Sequence, residues 1–280
     1  MSRRSLAMAA ALAFGLSFPV TGEAAPVLFQ ATGSDAAAIQ AAVDAFRAAL
    51  GNPNNANAPG PLTSGRREIN WDGGGATTTA TSGPTFTVFQ TTRGALFTTP
   101  GTGFTQSPLV ETTPADQTLS ELVGNATYAT EFSTFSPLRV FTPLGSNITD
   151  ATFFIPGAPD PAGVASFGAV FTDVDLSGPT KIDFFGVSDQ LLLSQSVLAS
   201  PGSGGLSFLG VQFTDGTLIT RARITTGNTA LGPNDNPGGG VDVVAMDDFI
   251  YGEPRSVPEP ATLTLFGLAA LALRRSRPVR

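Results

Sequence analysis

The sequence predicts a mainly β protein: a β-sandwich of jelly-roll type, with one amphipathic helix near its start and a short apolar helix at its end. Gly (32 residues) and Pro (22) separate short apolar runs, and charged residues make up only 13% of the 280-residue chain. β-Branched and aromatic residues favour strands, while Gly, Pro, Asn and Asp favour the turns between them. The length is sufficient for one large all-β domain or two small ones.

The composition limits the chemistry that the chain can perform. It contains no Cys and no His, which excludes disulfides, thiolate metal sites, Ser-His-Asp triads and the usual zinc ligands. An enzyme would depend on carboxylates, and no spacing of Asp and Glu singles out a catalytic pair. We therefore expect a non-catalytic protein, with a polysaccharide-acting enzyme that uses carboxylates as one alternative.

The charge is distributed unevenly. Six of the 15 basic residues and two of the 22 acidic residues lie in the terminal segments, so residues 25–255 carry nine basic and 20 acidic residues and a net charge of −11. Such an acidic body repels phosphates and anionic membrane surfaces. We expect no nucleic-acid partner.

The first residues have the organisation of a secretory signal peptide, residues 1–24. Arg3 and Arg4 precede an apolar run, which is followed by small residues and a cleavage site after Ala24. This organisation predicts Sec-type export machinery and signal peptidase as partners. An uncleaved membrane anchor is the alternative, although Pro19 ends the apolar run early.

The next segment, residues 25–65, is expected to form the helix and a loop. Four apolar residues recur at helical spacing: Ile39, Val43, Phe46 and Leu50. Ser34 is expected to cap the first turn, and Gly51 to end the helix. Residues 51–65 are rich in Asn, Pro and Gly and are predicted to form the loop.

The β-sandwich domain is predicted to span residues 66–255. Eleven short runs have the character of strands: residues 86–90, 95–98, 127–132, 138–141, 151–155, 166–171, 181–187, 190–198, 206–213, 218–225 and 241–251. Residues 218–225 alternate between an apolar face and a face with Arg221 and Arg223, as in a half-buried strand. Residues 241–251 are apolar on both faces apart from their Asp residues, which predicts a central strand.

Two adjacent carboxylates, Asp247 and Asp248, lie in this last strand. Neighbouring strand residues point to opposite faces, so one of them must face the core unless the strand is bulged. A buried carboxylate needs a cation or several donors. The sequence therefore suggests a structural Ca²⁺ site, in which Asp247 or Asp248 is joined by loop oxygens and by Asp173 or Asp175. In the alternative, Asp247 and Asp248 pair with Arg221 or Arg223 or accept amides of a turn.

The run that contains Asp247 and Asp248 also resembles the last strand of the jelly rolls of carbohydrate-binding modules. In those modules an Asp near the start of this strand often helps to hold a calcium ion. The resemblance covers about ten residues and implies, as an alternative function, a calcium-stabilised carbohydrate-binding module.

Two further segments are candidates for ligand binding. Trp71, the only Trp, lies between Asn70 and Asp72, and an indole beside polar groups is typical of a site that stacks on a sugar. A loop before the last strand could provide oxygen atoms from Asn234, Asp235 and Asn236. In the alternative, Trp71 belongs to the core and the loop is only a long turn.

The C-terminal segment, residues 256–280, contains three parts in a fixed order. Pro258-Glu259-Pro260 leads into a 13-residue run without charge, and Arg274, Arg275 and Arg277 follow. A helix of this length covers about 20 Å, less than the hydrocarbon core of about 30 Å. The positive-inside rule places the arginines in the cytoplasm and the body outside.

This order resembles the PEP-CTERM sorting domain, whose tail is recognised and cut by an exosortase in Gram-negative bacteria that also make exopolysaccharide. The resemblance implies that Pro258, Glu259 and Pro260 are the recognition or processing element. It also implies that the C-terminal helix holds the chain temporarily in the inner membrane; a plain C-terminal anchor is the alternative. We expect an exported envelope or extracellular-matrix protein, and its association with exopolysaccharide is a hypothesis.

Overall fold

The computed structural model describes residues 25–73, 80–111, 117–200, 202–232, 234 and 239–257. Within these ranges the strands form two antiparallel eight-stranded sheets with a shared core. This arrangement confirms the predicted β-sandwich. The predicted C-terminal helix lies outside the described residues.

The strands are numbered along the chain. They are β1 (Val27–Gly33), β2 (Arg66–Ile69), β3 (Ala80–Ser82), β4 (Thr85–Phe86), β5 (Ala95–Thr98), β6 (Gly103–Pro108), β7 (Arg139–Leu144), β8 (Ile148–Phe154), β9 (Pro161–Gly163), β10 (Ser166–Thr172), β11 (Lys181–Phe185), β12 (Leu191–Ser196), β13 (Leu206–Gln212), β14 (Arg221–Thr225), β15 (Ala245–Gly252) and β16 (Arg255–Ser256).

The first sheet has the order β1-β13-β10-β15-β7-β6-β3, and β2 also pairs with β15. The second sheet has the order β12-β11-β14-β8-β5-β4, with β9 on β8 and β16 on β9. Consecutive strands of the chain often belong to different sheets. β15 is near the end of the described chain, but in the first sheet it lies between β10 and β7, which occur much earlier in the sequence.

Helix α1 (Ala36–Leu50) confirms the predicted N-terminal helix. Its cap is Asp35, whose carboxylate accepts the amide of Ala38 at 3.0 Å, and not Ser34 as predicted. The shorter Ser34 side chain lies one residue too early and contacts Asp35 instead. Gly51 ends the helix with a φ of +89°, as the pattern predicts.

Three short helices follow: α2 (Gln90–Arg93), α3 (Leu119–Val123) and α4 (Tyr128–Glu131). The prediction of a strand at residues 127–132 is wrong, because α4 occupies this segment. Tyr128 and Phe132 are four residues apart and therefore share one helical face, where both are buried. The side chain of Asn125 also accepts the amide of Thr127 at 3.1 Å, which favours a turn at the start of α4.

The first sheet is covered on both faces. The main core lies between the sheets, α1 packs on the outer face around Phe46 and Ile250, and α3 and α4 pack farther along around Leu119 and Ala245. All eight residues of β15 are buried as a result. This burial agrees with the prediction of a central strand. In the described ranges, no helix combines the length and the apolar character needed to cross a membrane.

Candidate functional site: a carboxylate cluster and the exit of the chain

β15 contains a bulge at its two acids. Ala169 of β10 lies opposite Phe249, but Phe171 lies opposite Met246, so two steps on β10 match three on β15. The extra residue falls at Asp247–Asp248. Met246 and Phe249 both belong to the core between the sheets, and both carboxylates contact groups on the other side of the sheet.

Both acids hold the segment that connects α4 with β7, residues 133–138. Oδ2 of Asp247 accepts the amides of Phe135 and Ser136 at 2.6 and 3.1 Å. Oδ1 of Asp248 accepts the hydroxyl of Ser136 at 2.6 Å. These bonds fix residues 133–138 against the bulge.

Asp72 approaches the same segment from the end of β2. Its carboxylate accepts the amides of Leu138 and Arg139. Oδ2 of Asp72 also lies 3.3 Å from Oγ of Ser136. We call Asp72, Asp247 and Asp248 around this hydroxyl the carboxylate cluster.

The carboxylate cluster favours protonated acids. Burial raises the pKa of Asp247 well above its usual value, and the charge of Asp248 raises it further, against the amides of Phe135 and Ser136. Burial also raises the pKa of Asp248 and of Asp72. The hydroxyl of Ser136 has one hydrogen and lies 3.4 Å from Oδ1 of Asp247, so a proton on Asp247 relieves repulsion between oxygen atoms.

Arg47 of α1 supplies positive charge to the edge of the carboxylate cluster. Its Nη2 lies 3.3 Å from Oδ2 of Asp248 and 2.8 Å from Oε2 of Glu68. Glu68 in turn contacts Arg66 at 2.6 Å. The helix is thus connected electrostatically to the bulge as well as through its apolar face.

Trp71 lies behind the bulge, in the core. Its side chain is fully buried, its ring stacks on Phe141 with centroids 3.7 Å apart, and Nε1 donates to the carbonyl of Asp247 at 3.0 Å. The prediction that Trp71 stacks on a sugar is therefore wrong, because the indole has no exposed face. The alternative, a core residue, is correct.

The other two predicted calcium ligands hold a different turn. The amide of Asp173 donates to Gly205 at 2.8 Å, and Oδ1 of Asp175 accepts the amide of Gly202 at 2.9 Å. Across the described parts of the chain, no three His, Cys, Asp or Glu side chains are arranged to hold a metal ion. Calcium binding by Asp247 and Asp248 stays a prediction.

The predicted alternative for the two acids of β15 is correct only in part. Asp247 accepts amides, as expected, and Asp248 accepts a hydroxyl. Arg221 and Arg223 bind Asp150 instead, each at 2.8 Å. Both arginines lie in the second sheet, on β14. Helix α1 supplies the cation in their place.

The loop residues proposed as ligands are described only in part. Asn234 is exposed, whereas Asp235 and Asn236 lie outside the described residues. A ligand-binding role for these three residues stays a prediction.

Sequence reasoning missed a buried ion pair at the end of β15. Arg67 and Glu253 are joined by two bonds of 2.8 Å, and both side chains are fully buried. Glu253 also accepts Asn55 Nδ2 at 2.8 Å and the amide of Leu62 at 3.1 Å. The partners are 186 residues apart, and no local spacing reveals such a pair.

A cavity of about 620 Å³ opens beside the first described residue, Ala25. Its lining includes Gln190, Leu191, Asp215 and Thr217. Among its described lining residues, Asp215 is the only acid. The cavity therefore combines apolar and polar groups without a pair of carboxylates.

The described body ends at the start of the predicted sorting segment. β16 is exposed and pairs with β9 through Arg255↔Gly163 and Ser256↔Ala162. Val257 is the last described residue. Pro258, Glu259, Pro260, Arg274, Arg275 and Arg277 all lie beyond it, outside the described residues.

Residues 256–277 match the PEP-CTERM protein-sorting motif. No curated protein and no solved structure matches the chain. The match agrees with the order of the Pro-Glu-Pro element, the apolar run and the arginines. The chain therefore carries a PEP-CTERM sorting motif, which marks it as an exported, envelope-associated protein that is sorted by an exosortase.

Proposed function

We propose that this chain is a non-catalytic protein of the cell envelope or extracellular matrix, and that its body associates with exopolysaccharide after sorting. The observation that carries the proposal is the sorting motif at residues 256–277. The resemblance to the PEP-CTERM sorting domain implies a bacterium that also makes exopolysaccharide. The delivered body is an acidic β-sandwich.

The geometry of the described carboxylates supports a non-catalytic body. A glycosidase needs two carboxyl groups about 5–9.5 Å apart on opposite sides of an open substrate site. Asp247 and Asp248 are buried and hold a chain segment. The cavity beside Ala25 has one acid among its described lining residues.

The same cavity is the best-supported place for a saccharide. Leu191 and Leu218 offer apolar surface, and Gln190, Asp215 and Thr217 offer hydrogen-bonding groups. Small-molecule sites typically combine these features in clefts of about 300–1,000 Å³. An uncharged saccharide would also avoid the repulsion that the acidic body imposes on anions.

Affinity electrophoresis of the mature exported protein tests the association. We expect slower migration in a gel that contains exopolysaccharide of the host, and we expect Gln190→Ala to restore most of the mobility. Gln40→Ala is the matched control, since Gln40 is a half-buried residue of α1 and is not among the residues that line the cavity. Equal mobility of the unmodified protein with and without polysaccharide would contradict the association.

The sorting itself is tested separately in a host that has an exosortase. We expect Pro258→Ala, or deletion of residues 274–277, to prevent removal of the tail, as seen in the mass of the protein. If both variants keep the mass and the location of the unmodified chain, an exosortase does not process this tail.

A further inference from the structure

The last strand of the body and the sorting motif overlap. β16 ends at Ser256, and the match to the motif begins at residue 256. Only Val257 separates the end of β16 from Pro258. The recognised segment therefore starts while the chain still belongs to the second sheet.

The chain just before β16 is fixed firmly. Tyr251 and Glu253 are buried, and Glu253 forms the ion pair with Arg67. The loop of residues 52–65 encloses this pair through Asn55 and Leu62. Movement at the exit of the chain must therefore occur after Glu253.

β16 is the weakly held part. It has two residues, both exposed, and in the described ranges it pairs only with β9. A short exposed strand at the edge of a sheet opens at a low free energy compared with the core strands. β16 can separate while the ion pair behind it stays intact.

An enzyme that recognises a peptide motif commonly binds it as an extended chain through main-chain hydrogen bonds. On one edge, the backbone of Ser256 can pair either with Ala162 of β9 or with such an enzyme, but not with both at once. We propose that β16 is a latch: its pairing with β9 withholds the N-terminal flank of the sorting motif, and exosortase processing requires its release. This inference rests on exosortase sorting of the chain.

A disulfide that locks β16 to β9 tests the latch. Opposite residues in antiparallel strands have Cα atoms about 4.5–5.5 Å apart, which suits a disulfide. The chain has no Cys, so Ala162→Cys with Ser256→Cys creates a single possible bridge at a known pair. The matched control is Thr32→Cys with Ser207→Cys, an opposite pair in the first sheet.

The experiment uses the full chain in membranes from a host with an exosortase. We expect the oxidised β16–β9 lock to lose processing, a reducing agent to restore it, and the control lock to be processed like the unmodified chain. Mass spectrometry measures both the bridge and the removal of the tail. Thermal melting of each variant shows that the body is folded.

A second variant separates access from folding. Six residues of Gly and Ser inserted between Val257 and Pro258 place the motif beyond the latch. We expect this insertion to speed processing of the chain that lacks the two cysteines. In the chain with the oxidised lock, we expect it to restore processing.

The outcomes distinguish the latch from the sorting on which it rests. Equal processing of the oxidised lock and the unmodified chain overturns the latch and leaves the sorting intact. Failure of the insertion to restore the locked chain also overturns it, because the block then acts elsewhere. An unmodified chain that is never processed overturns both.

Discussion

Asp247 combines three roles in one residue. It lies at the extra residue of the bulge, its carbonyl accepts Trp71 Nε1, and its carboxyl group accepts the amides of Phe135 and Ser136. The hydrogen-bond acceptors are needed for packing, but a negative charge is not. Burial raises the pKa of this carboxyl group because the charged form loses its hydration.

The raised pKa of Asp247 predicts an unusual dependence of stability on pH. The folded state retains its proton over a pH range in which the unfolded chain, with a pKa of about 3.9, has lost it. Asp247 therefore favours folding most below that value, and its contribution falls as the pH rises through the raised pKa. We expect Asp247→Asn to flatten this part of the curve of unfolding free energy against pH.

Denaturant unfolding between pH 4 and pH 8 measures the effect. Asp247→Asn keeps an acceptor for the two amides and should be at least as stable as the unmodified protein at the upper end. Asp247→Ala leaves those partly buried amides without this acceptor and should cost about 1–3 kcal/mol at the lower end, with a smaller cost as the pH rises. Curves of the Asn variant and the unmodified protein that stay parallel would contradict a protonated Asp247.

Arg67 and Glu253 show how burial changes the importance of an ion pair. Both side chains are fully buried, so removing one partner leaves an unpaired charge without water. We expect Arg67→Ala or Glu253→Ala to cost about 3–5 kcal/mol of unfolding free energy. Asp189→Ala is the control: Asp189 contacts Arg221 at 2.5 Å but its side chain is 65% exposed, and we expect about 0–1 kcal/mol.

At the scale of elements, α1 depends on two glycines of the first sheet. Gly168 and Gly210 lie opposite each other on β10 and β13, and the ring of Phe46 lies directly above them. A Cβ atom at Gly210 would be 2.8–3.0 Å from three atoms of this ring. The absence of side chains at these two positions therefore lets the helix approach the sheet.

We expect Gly210→Ala to cost about 1–3 kcal/mol in thermal or denaturant unfolding, because it overpacks this contact. Phe46→Leu in the same chain should recover part of the loss, and a double-mutant cycle measures the coupling. Gly73→Ala is the matched control, since no atom of the described residues lies within 4 Å of its added Cβ. Equal effects of the two Gly→Ala changes would show that α1 does not depend on this close approach.

Local patterns predicted the elements whose stabilisation is local. The apolar spacing of Ile39, Val43 and Phe46 marked α1, and β5 was predicted with the bounds that the structure shows. In residues 127–132, the β-branched and aromatic composition favours a strand and conceals the helical spacing of Tyr128 and Phe132. In so short a segment, composition alone does not distinguish the period of a helix from that of a strand.

The site was less predictable, because strand order decides which side chains meet. The pattern identified the problem of two adjacent acids on β15 and named a bulge as one solution. It could not show that Ser136 and Arg47 would reach them from 112 and 201 residues away. The environment of Trp71 is hidden for a related reason: its neighbour Asp72 contacts residues 136–139, while the indole itself enters the core.

At the scale of the whole molecule, the terminal segments that direct export and sorting differ in charge from the body, residues 25–255. The net charge of −11 belongs to residues 25–255, whereas six of the 15 basic residues lie in the terminal segments. The described body extends as far as the sorting motif, through β16 and Val257. The chain leaves the sandwich for the sorting motif at the end formed by β9, β16 and the loop of residues 52–65.

The acidic body also determines how the calcium prediction must be tested. A net charge of −11 attracts any divalent cation diffusely, so a shift of the melting temperature by calcium alone is insufficient. A structural site predicts that a chelator lowers the melting temperature of the calcium-loaded mature protein and that calcium restores it, while equal magnesium does not, because calcium sites differ in size and ligand number. Asp248→Asn should abolish that response and Asp215→Asn, in an exposed turn, should keep it. An unchanged melting temperature on chelation would leave protons, Arg47 and the amides of residues 135–136 as the groups that compensate the carboxylate cluster.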